Sequence, residues 1–167
     1  MYSCKGKKEQ TEQTEQTNQT TPSQSESETK PSSGSSSEPK TYQVTALPDS
    51  VVLGKNKEAF IKIKNLKAIE LSNPDGQTTG IELTYDIDVT NKNSIGGSSV
   101  SINPNDFRLE LDNGTKLIHD NYNSVSAQPE ATASSSDNRF KLPANVKPTA
   151  LNLFYNETRA TVKLELK

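Results

Sequence analysis

Ile81-Glu82-Leu83-Thr84-Tyr85-Asp86-Ile87-Asp88-Val89-Thr90 alternates apolar and polar side chains without a fault over ten positions. A period of two is that of a β-strand with one face buried, so Leu83, Tyr85, Ile87 and Val89 turn to a core while Glu82, Thr84, Asp86, Asp88 and Thr90 face water. On this reading Asp86 can be truncated at almost no cost. Outward from this strand the same rhythm returns. Phe107-Arg108-Leu109-Glu110-Leu111 leads through Asp112-Asn113-Gly114-Thr115 into Lys116-Leu117-Ile118. Asn-Gly between apolar runs predicts a hairpin with a two-residue type I′ turn.

At the end of the chain Leu151, Leu153 and Tyr155 precede a connection at Asn156-Glu157-Thr158-Arg159, after which Ala160, Val162, Leu164 and Leu166 alternate with polar residues. Asn138 to Leu142 reads as a further strand, stopped by Pro143. The opening strand runs through Phe60-Ile61-Lys62-Ile63-Lys64 and resumes at Lys67 to Leu71. Its in-out phase slips at Asn65-Leu66, as a β-bulge would require. Helix is confined to a turn at Asn103-Pro104-Asn105-Asp106. About seven short strands and no sustained helical period predict an all-β fold, an immunoglobulin-like antiparallel β-sandwich behind a disordered N-terminal tail.

That tail is defined by composition. From Lys5 to Lys40 no apolar residue occurs, and Gln, Thr, Ser, Glu, Lys and Pro fill the stretch. Ordering a residue's backbone costs roughly 1–2 kcal/mol, and this segment has nothing to bury in return, so it is expected to stay disordered. The expected division is therefore a leader and linker over residues 1–40 and one domain over 41–167. The tail holds five Lys against six Glu, and the rest fourteen Lys and Arg against fifteen Asp and Glu. No basic field spans either part, which disfavours nucleic acid and anionic membranes as electrostatic partners. No apolar run approaches the length of a spanning helix.

Cys4 is the only cysteine, so no disulfide or CxxC metal motif forms within the chain. It follows Ser3 and precedes Lys5-Gly6-Lys7-Lys8 and the repetitive Thr11 to Thr17 tract. A small residue before a cysteine that opens a long polar spacer resembles the processing site of bacterial lipoproteins, whose cysteine is acylated and becomes the mature N-terminus. Met1 and Tyr2 match that site poorly, and the hydrophobic part of a signal peptide does not precede it, so the start is expected to be trimmed or assigned too far downstream. The resemblance implies lipidation of Cys4, a membrane partner through the acyl chains, and an extracytoplasmic or cell-surface location. The competing reading is a chance cysteine. A spacer of this kind serves as a passive linker rather than as a binding tail.

The strand order from about residue 55 to 167 resembles the immunoprotective extracellular, immunoglobulin-like domain of bacterial surface lipoproteins, a domain of unknown function. Tyr85 to Asn91 is similar to its long strand ending in Val-x-Asn. Asn105-Asp106-Phe107-Arg108-Leu109, with Gly114 at the following tip, is similar to its Asp-Phe-x-Leu strand. Phe140-Lys141-Leu142-Pro143 and the Leu151–Leu166 hairpin match its closing elements, whereas Ser136-Asp137-Asn138 stands where a Gly is usual. The resemblance implies a fold and a place on the cell surface, and no reaction.

Candidate chemistry is sparse. His119 is the only histidine and no Gly-x-Ser-x-Gly elbow accompanies it, so no catalytic residue is assigned. Zinc would need more His or Cys, and Asp75, Asp86, Asp88, Asp106, Asp112 and Asp120 do not form a calcium loop, so no metal and no cofactor are expected. The long polar stretch from Asp120 to Asp137 reads as a loop, in which Asn121, Tyr122 and Asn123 are the candidate partner contact. The bland alternative tucks Tyr122 onto the sheet. The leading expectation is a non-enzymatic module that binds a protein or envelope component. The alternative is a hydrolase or a small-ligand or calcium carrier built from acidic and hydroxyl groups, which converging carboxylates in a pocket would favour.

Overall fold

The strand with the faultless alternation lies at the centre of one layer of the fold. In the computed structural model, which describes residues 38–167, β4 (Thr78–Asn91) buries Leu83, Tyr85, Ile87 and Val89 almost completely. It pairs antiparallel with β3 (Ala59–Ser72) on one side and with β9 (Thr132–Pro143) on the other. The expected sandwich is formed, and its remaining strands are β1 (Thr41–Leu47), β2 (Ser50–Leu53), β5 (Val100–Ile102), β6 (Arg108–Leu111), β7 (Lys116–Leu117), β8 (Val125–Ala127), β10 (Pro148–Tyr155) and β11 (Thr158–Leu166). A single 3₁₀ turn, Pro104–Asp106, occupies the place where a turn was expected, capped by the Asn103 side chain.

The sheet order is β7-β6-β10-β11-β1-β3-β4-β9, with β2 added to β3. β1 joins the two layers, because Thr41–Gln43 pair with β3 while Val44–Leu47 pair with β11. Between the layers Ile61, Ile87, Phe140 and Leu142 meet Leu109, Leu151, Leu153 and Val162, and Phe107 closes the core beside the 3₁₀ turn. β5 and β8 pair only with each other and add Val100, Ile102, Val125 and Ala127 to the same core.

Both neighbours of β4 bulge at one level. On β3 the register moves from Lys64 opposite Asp86 to Lys67 opposite Thr84, which inserts one extra residue where the phase slip lies, and Asn65 takes a φ of 51°. On β9 it moves from Asn138 opposite Tyr85 to Ser135 opposite Ile87, and Asp137 takes a φ of 59°. Asp86, between the two, accepts a hydrogen bond from Asn65 Nδ2 at 2.6 Å and another from the Asp137 backbone N–H at 3.1 Å. The expectation that Asp86 is a passive solvated residue is therefore corrected.

Three further differences have local causes. The Asn113-Gly114 turn is not type I′: Gly114 alone has positive φ, 82°, its N–H reaches the Leu111 carbonyl at 2.9 Å, and Leu111 N–H reaches Thr115 O at 2.9 Å. This is a three-residue loop, a type I turn closed by a glycine bulge, favoured by Gly at the fourth turn position. The two-residue turn with both φ positive sits instead at Asn156 (45°) and Glu157 (63°), between the paired residues Tyr155 and Thr158. Finally, the Asp120–Asp137 stretch is not a loop throughout, since β8 and the first half of β9 lie in it, and β1 and β2 precede the strand read as the opening one.

Two predictions follow from this geometry, both read by chemical denaturation of the full chain. Ile87→Ala is expected to cost about 2–5 kcal/mol, and Asp86→Ala about 1–2 kcal/mol because two hydrogen bonds to a charged acceptor disappear. Asp75→Ala, on an exposed turn, stays within about 0.5 kcal/mol of the parent. If Asp86→Ala behaves like Asp75→Ala, the carboxylate does not hold the bulges. For the turns, Glu157→Gly is expected to gain about 0.5–1 kcal/mol by releasing a strained non-glycine φ, while Asn113→Gly loses a few tenths through the added freedom of the unfolded chain. Gly114→Val loses about 1–3 kcal/mol. An equal gain from Asn113→Gly would mean that the turn types are exchanged.

Candidate functional site

The chain leaves β7 and crosses to the free edge of β9, which brings the predicted contact residues to the rim that joins the ends of the sheet order. Asp120 N–H donates to Arg139 O at 2.8 Å, and Arg139 N–H donates to Asn121 O at 2.7 Å. Asn121 Nδ2 then reaches Asp137 O at 2.9 Å and Asn123 Nδ2 reaches Ser136 O at 2.8 Å, so both amides grip the β9 bulge. Asn123 N–H donates to Asn138 Oδ1 at 3.1 Å, and the Ser135 hydroxyl donates to Asn123 O at 2.5 Å. Tyr122 stands between the two asparagines at 40% exposure, its ring edge toward His119 at 6.2 Å. Of the three, Tyr122 offers surface to a partner while the two amides are committed to the fold. Cys4 lies outside the described residues.

His119 is buried at 7% exposure, because the alternation that leaves Ile118 in solvent turns the imidazole inward. It lies against Phe140, with ring centroids 3.8 Å apart, and its Nε2 is 2.7 Å from the Tyr85 hydroxyl. Nδ1 has no protein hydrogen-bond partner, so a second ring proton would have no acceptor. Burial, and then the charge of Arg108, depress the His119 pKa to about 4, and burial raises that of Tyr85 well above the usual phenol value. Both groups are neutral at pH 7. The pair fills a core position rather than facing a substrate.

Two of the concavities among the described residues are walled by several charged side chains. A groove of about 940 Å³ runs past the bulges and includes Glu82, Asp86 and Asp137 among its walls. Those carboxylates have internal partners: Arg139 lies 3.6 Å from Glu82 and 2.9 Å from Asp137, and Asp86 holds the bulges. Among the described residues no group of three or more His, Cys, Asp or Glu is placed to hold a metal ion. The second concavity, about 360 Å³, lies across β6, β10 and β11 and is walled by Arg108, Lys116, Asn152, Phe154, Arg159 and, as its one acid, Asp106. The strand alternation marks several of these as outward-facing. Their convergence depends on pairing β6 with β10, some forty residues later, which no local pattern discloses. Comparison of the chain with protein-family models, curated proteins and solved structures finds no match.

The buried histidine sets a pH dependence. Its folded pKa is depressed, so between about pH 6.5 and 4 the unfolded chain binds more protons, and stability is present above 6.5 and lost as pH falls toward 4. About 2 kcal/mol should disappear between pH 7 and 5 on this account. Asp88, whose carboxyl is held low by hydrogen bonds from Lys64 and Ser134, gives up its contribution only at lower pH. Denaturation midpoints of the parent and of His119→Gln at pH 7 and 5 provide the check. A slope that persists in His119→Gln would assign it to another group.

Proposed function

We propose that the chain is a lipid-tethered surface module whose folded domain binds an envelope component and performs no chemistry of its own. The observation that carries this reading is where the reactive and polar side chains of the domain are used. His119 is packed on Phe140 and bonded to Tyr85, Asn138 Nδ2 bonds the Ser135 hydroxyl, and Asn91 Nδ2 bonds the carbonyls of Ser98 and Ala127. The surface offers Tyr122 among its exposed apolar side chains, and open concavities, which suit recognition of a surface or polymer better than enclosure of a small substrate.

The tether rests on the sequence around Cys4. Among the described residues no helix is long and apolar enough to cross a membrane.

The groove with Glu82, Asp86 and Asp137 supports a second reading, a carrier for a small cationic ligand or calcium. It is the weaker one, because binding there would compete with Arg139 and Asn65 for the same oxygens.

The tether is tested in the native host. Metabolic labelling with a palmitate analogue is expected to mark the parent protein and to be lost in Cys4→Ser, with the variant shed into the medium. Labelling that survives Cys4→Ser removes the lipid anchor at this residue.

A further inference from the structure

The concavity across β6, β10 and β11 has a charge arrangement unlike the rest of the surface. Cross-strand register sets Arg108 of β6 opposite Asn152 of β10, and Phe154 of β10 opposite Arg159 of β11, so the two rows lie side by side on one outer face. Three cations, Arg108, Lys116 and Arg159, line the cleft against the acid Asp106, with the Glu110 carboxylate at its side bonded to Asn152 and 3.8 Å from Lys116, in a chain whose net charge is −2.

Arg108 is held in place by something other than an acid. Arg108 is half-buried, and its Nη1 donates to the carbonyls of Asn105 and Phe107, both at 2.7 Å. Arg159 lies over the Phe154 ring, 6.0 Å from its centroid. Among the described residues neither guanidinium has a carboxylate within ion-pair distance, and Lys116 reaches only Glu110, at 3.8 Å. A guanidinium carries five N–H donors in a planar fork, and two of Arg108's are taken by backbone carbonyls. The remainder, fixed in position and without a counter-ion, form a pre-organised anion receptor. Phe154, partly exposed beneath Arg159, brings into the same wall an aromatic ring of the kind that stacks on the C–H face of a sugar.

We propose that this cleft binds an acidic saccharide, its carboxylate or phosphate groups meeting Arg108, Arg159 and Lys116 and a sugar ring lying on Phe154. The proposal rests on the envelope-binding reading above and names the chemistry of what is bound. A volume of about 360 Å³ accepts a short segment of such a polymer, with its ends running out along the sheet face.

Calorimetric titration of the full chain at low ionic strength tests it with three probes: trigalacturonate for carboxylate, glucose 6-phosphate for phosphate, and uncharged maltotriose. At least one charged probe is expected to saturate, and which one does separates the two sources of negative charge. Maltotriose is expected not to bind, and raising the salt is expected to weaken the charged probe several-fold. Arg108→Gln and Arg159→Gln should each weaken it by about tenfold or more, while Lys141→Gln, on β9, leaves it unchanged. Arg159 has no backbone contact to lose, so its variant remains informative should Arg108→Gln fold poorly. Saturation by no charged probe, equal binding of maltotriose, or undiminished binding by Arg159→Gln overturns the assignment. Envelope material retained by Arg159→Gln as strongly as by the parent overturns the cleft and leaves the binding-module reading standing. Envelope material retained by neither chain overturns that reading itself.

Discussion

A single carboxylate reconciles two irregularities that lie at one level of the larger layer. A bulge adds a residue to one strand, bends it and increases its twist. Here both neighbours of β4 do so at one level, and Asp86 takes the amide of Asn65 from one side and the backbone N–H of Asp137 from the other. The long strands β3 and β9 thereby bend together. Beyond the bulge, β3 continues to Lys67–Ile69, which pair with the first residues of β1, and β1 then passes to β11 in the opposite layer. A bend in only one of the two strands would leave the other out of step with β4.

The bulge on β9 also decides where the rim closes. By lifting Ser136 and Asp137 out of register with β4, it presents their carbonyls to Asn121 and Asn123, which fasten the segment leaving β7 onto β9. That fastening seats His119 against Phe140 and within hydrogen-bond reach of Tyr85. The aromatic cluster is thus a consequence of sheet closure. A polar ring is tolerated in the core because one nitrogen is bonded and the other stays uncharged at neutral pH.

Much of this layer is legible in the sequence because period two survives wherever a strand is buried on one side. Leu83 to Val89 face inward as the alternation requires, and the phase slip at Asn65-Leu66 marks a real bulge. The matching bulge on β9 is hidden by composition: Ser134, Ser135 and Ser136 carry hydroxyls on both faces, so no change of phase is visible, and the first half of the strand reads as loop. Asn-Gly is an ambiguous turn signal, since the glycine serves equally at the end of a type I turn. Asn156-Glu157, which lacks glycine, conceals the turn with two positive φ values. The placement of the candidate contact residues was legible in part. The prominence of Tyr122 follows from its surroundings in sequence, but the duty of Asn121 and Asn123 depends on a strand edge that the sequence does not display.

The two outer faces differ in how their charges are satisfied, and this difference bears most directly on function. Across β3, β4 and β9 two of the three acids of β4 are met by cations, one from each side: Lys64 lies 2.7 Å from Asp88, and Arg139 answers Glu82. Exposed pairs of this kind contribute about 0–1 kcal/mol each and leave little net field. Across β6, β10 and β11 Arg108 is instead positioned by two carbonyl oxygens, which orient its guanidinium without neutralising it. A cation fixed in this way keeps its attraction for an incoming anion, and the entropy of ordering its side chain has already been lost on folding. Near-neutral net charge therefore gives a poor account of this surface, because it averages over faces whose charges are satisfied in different ways.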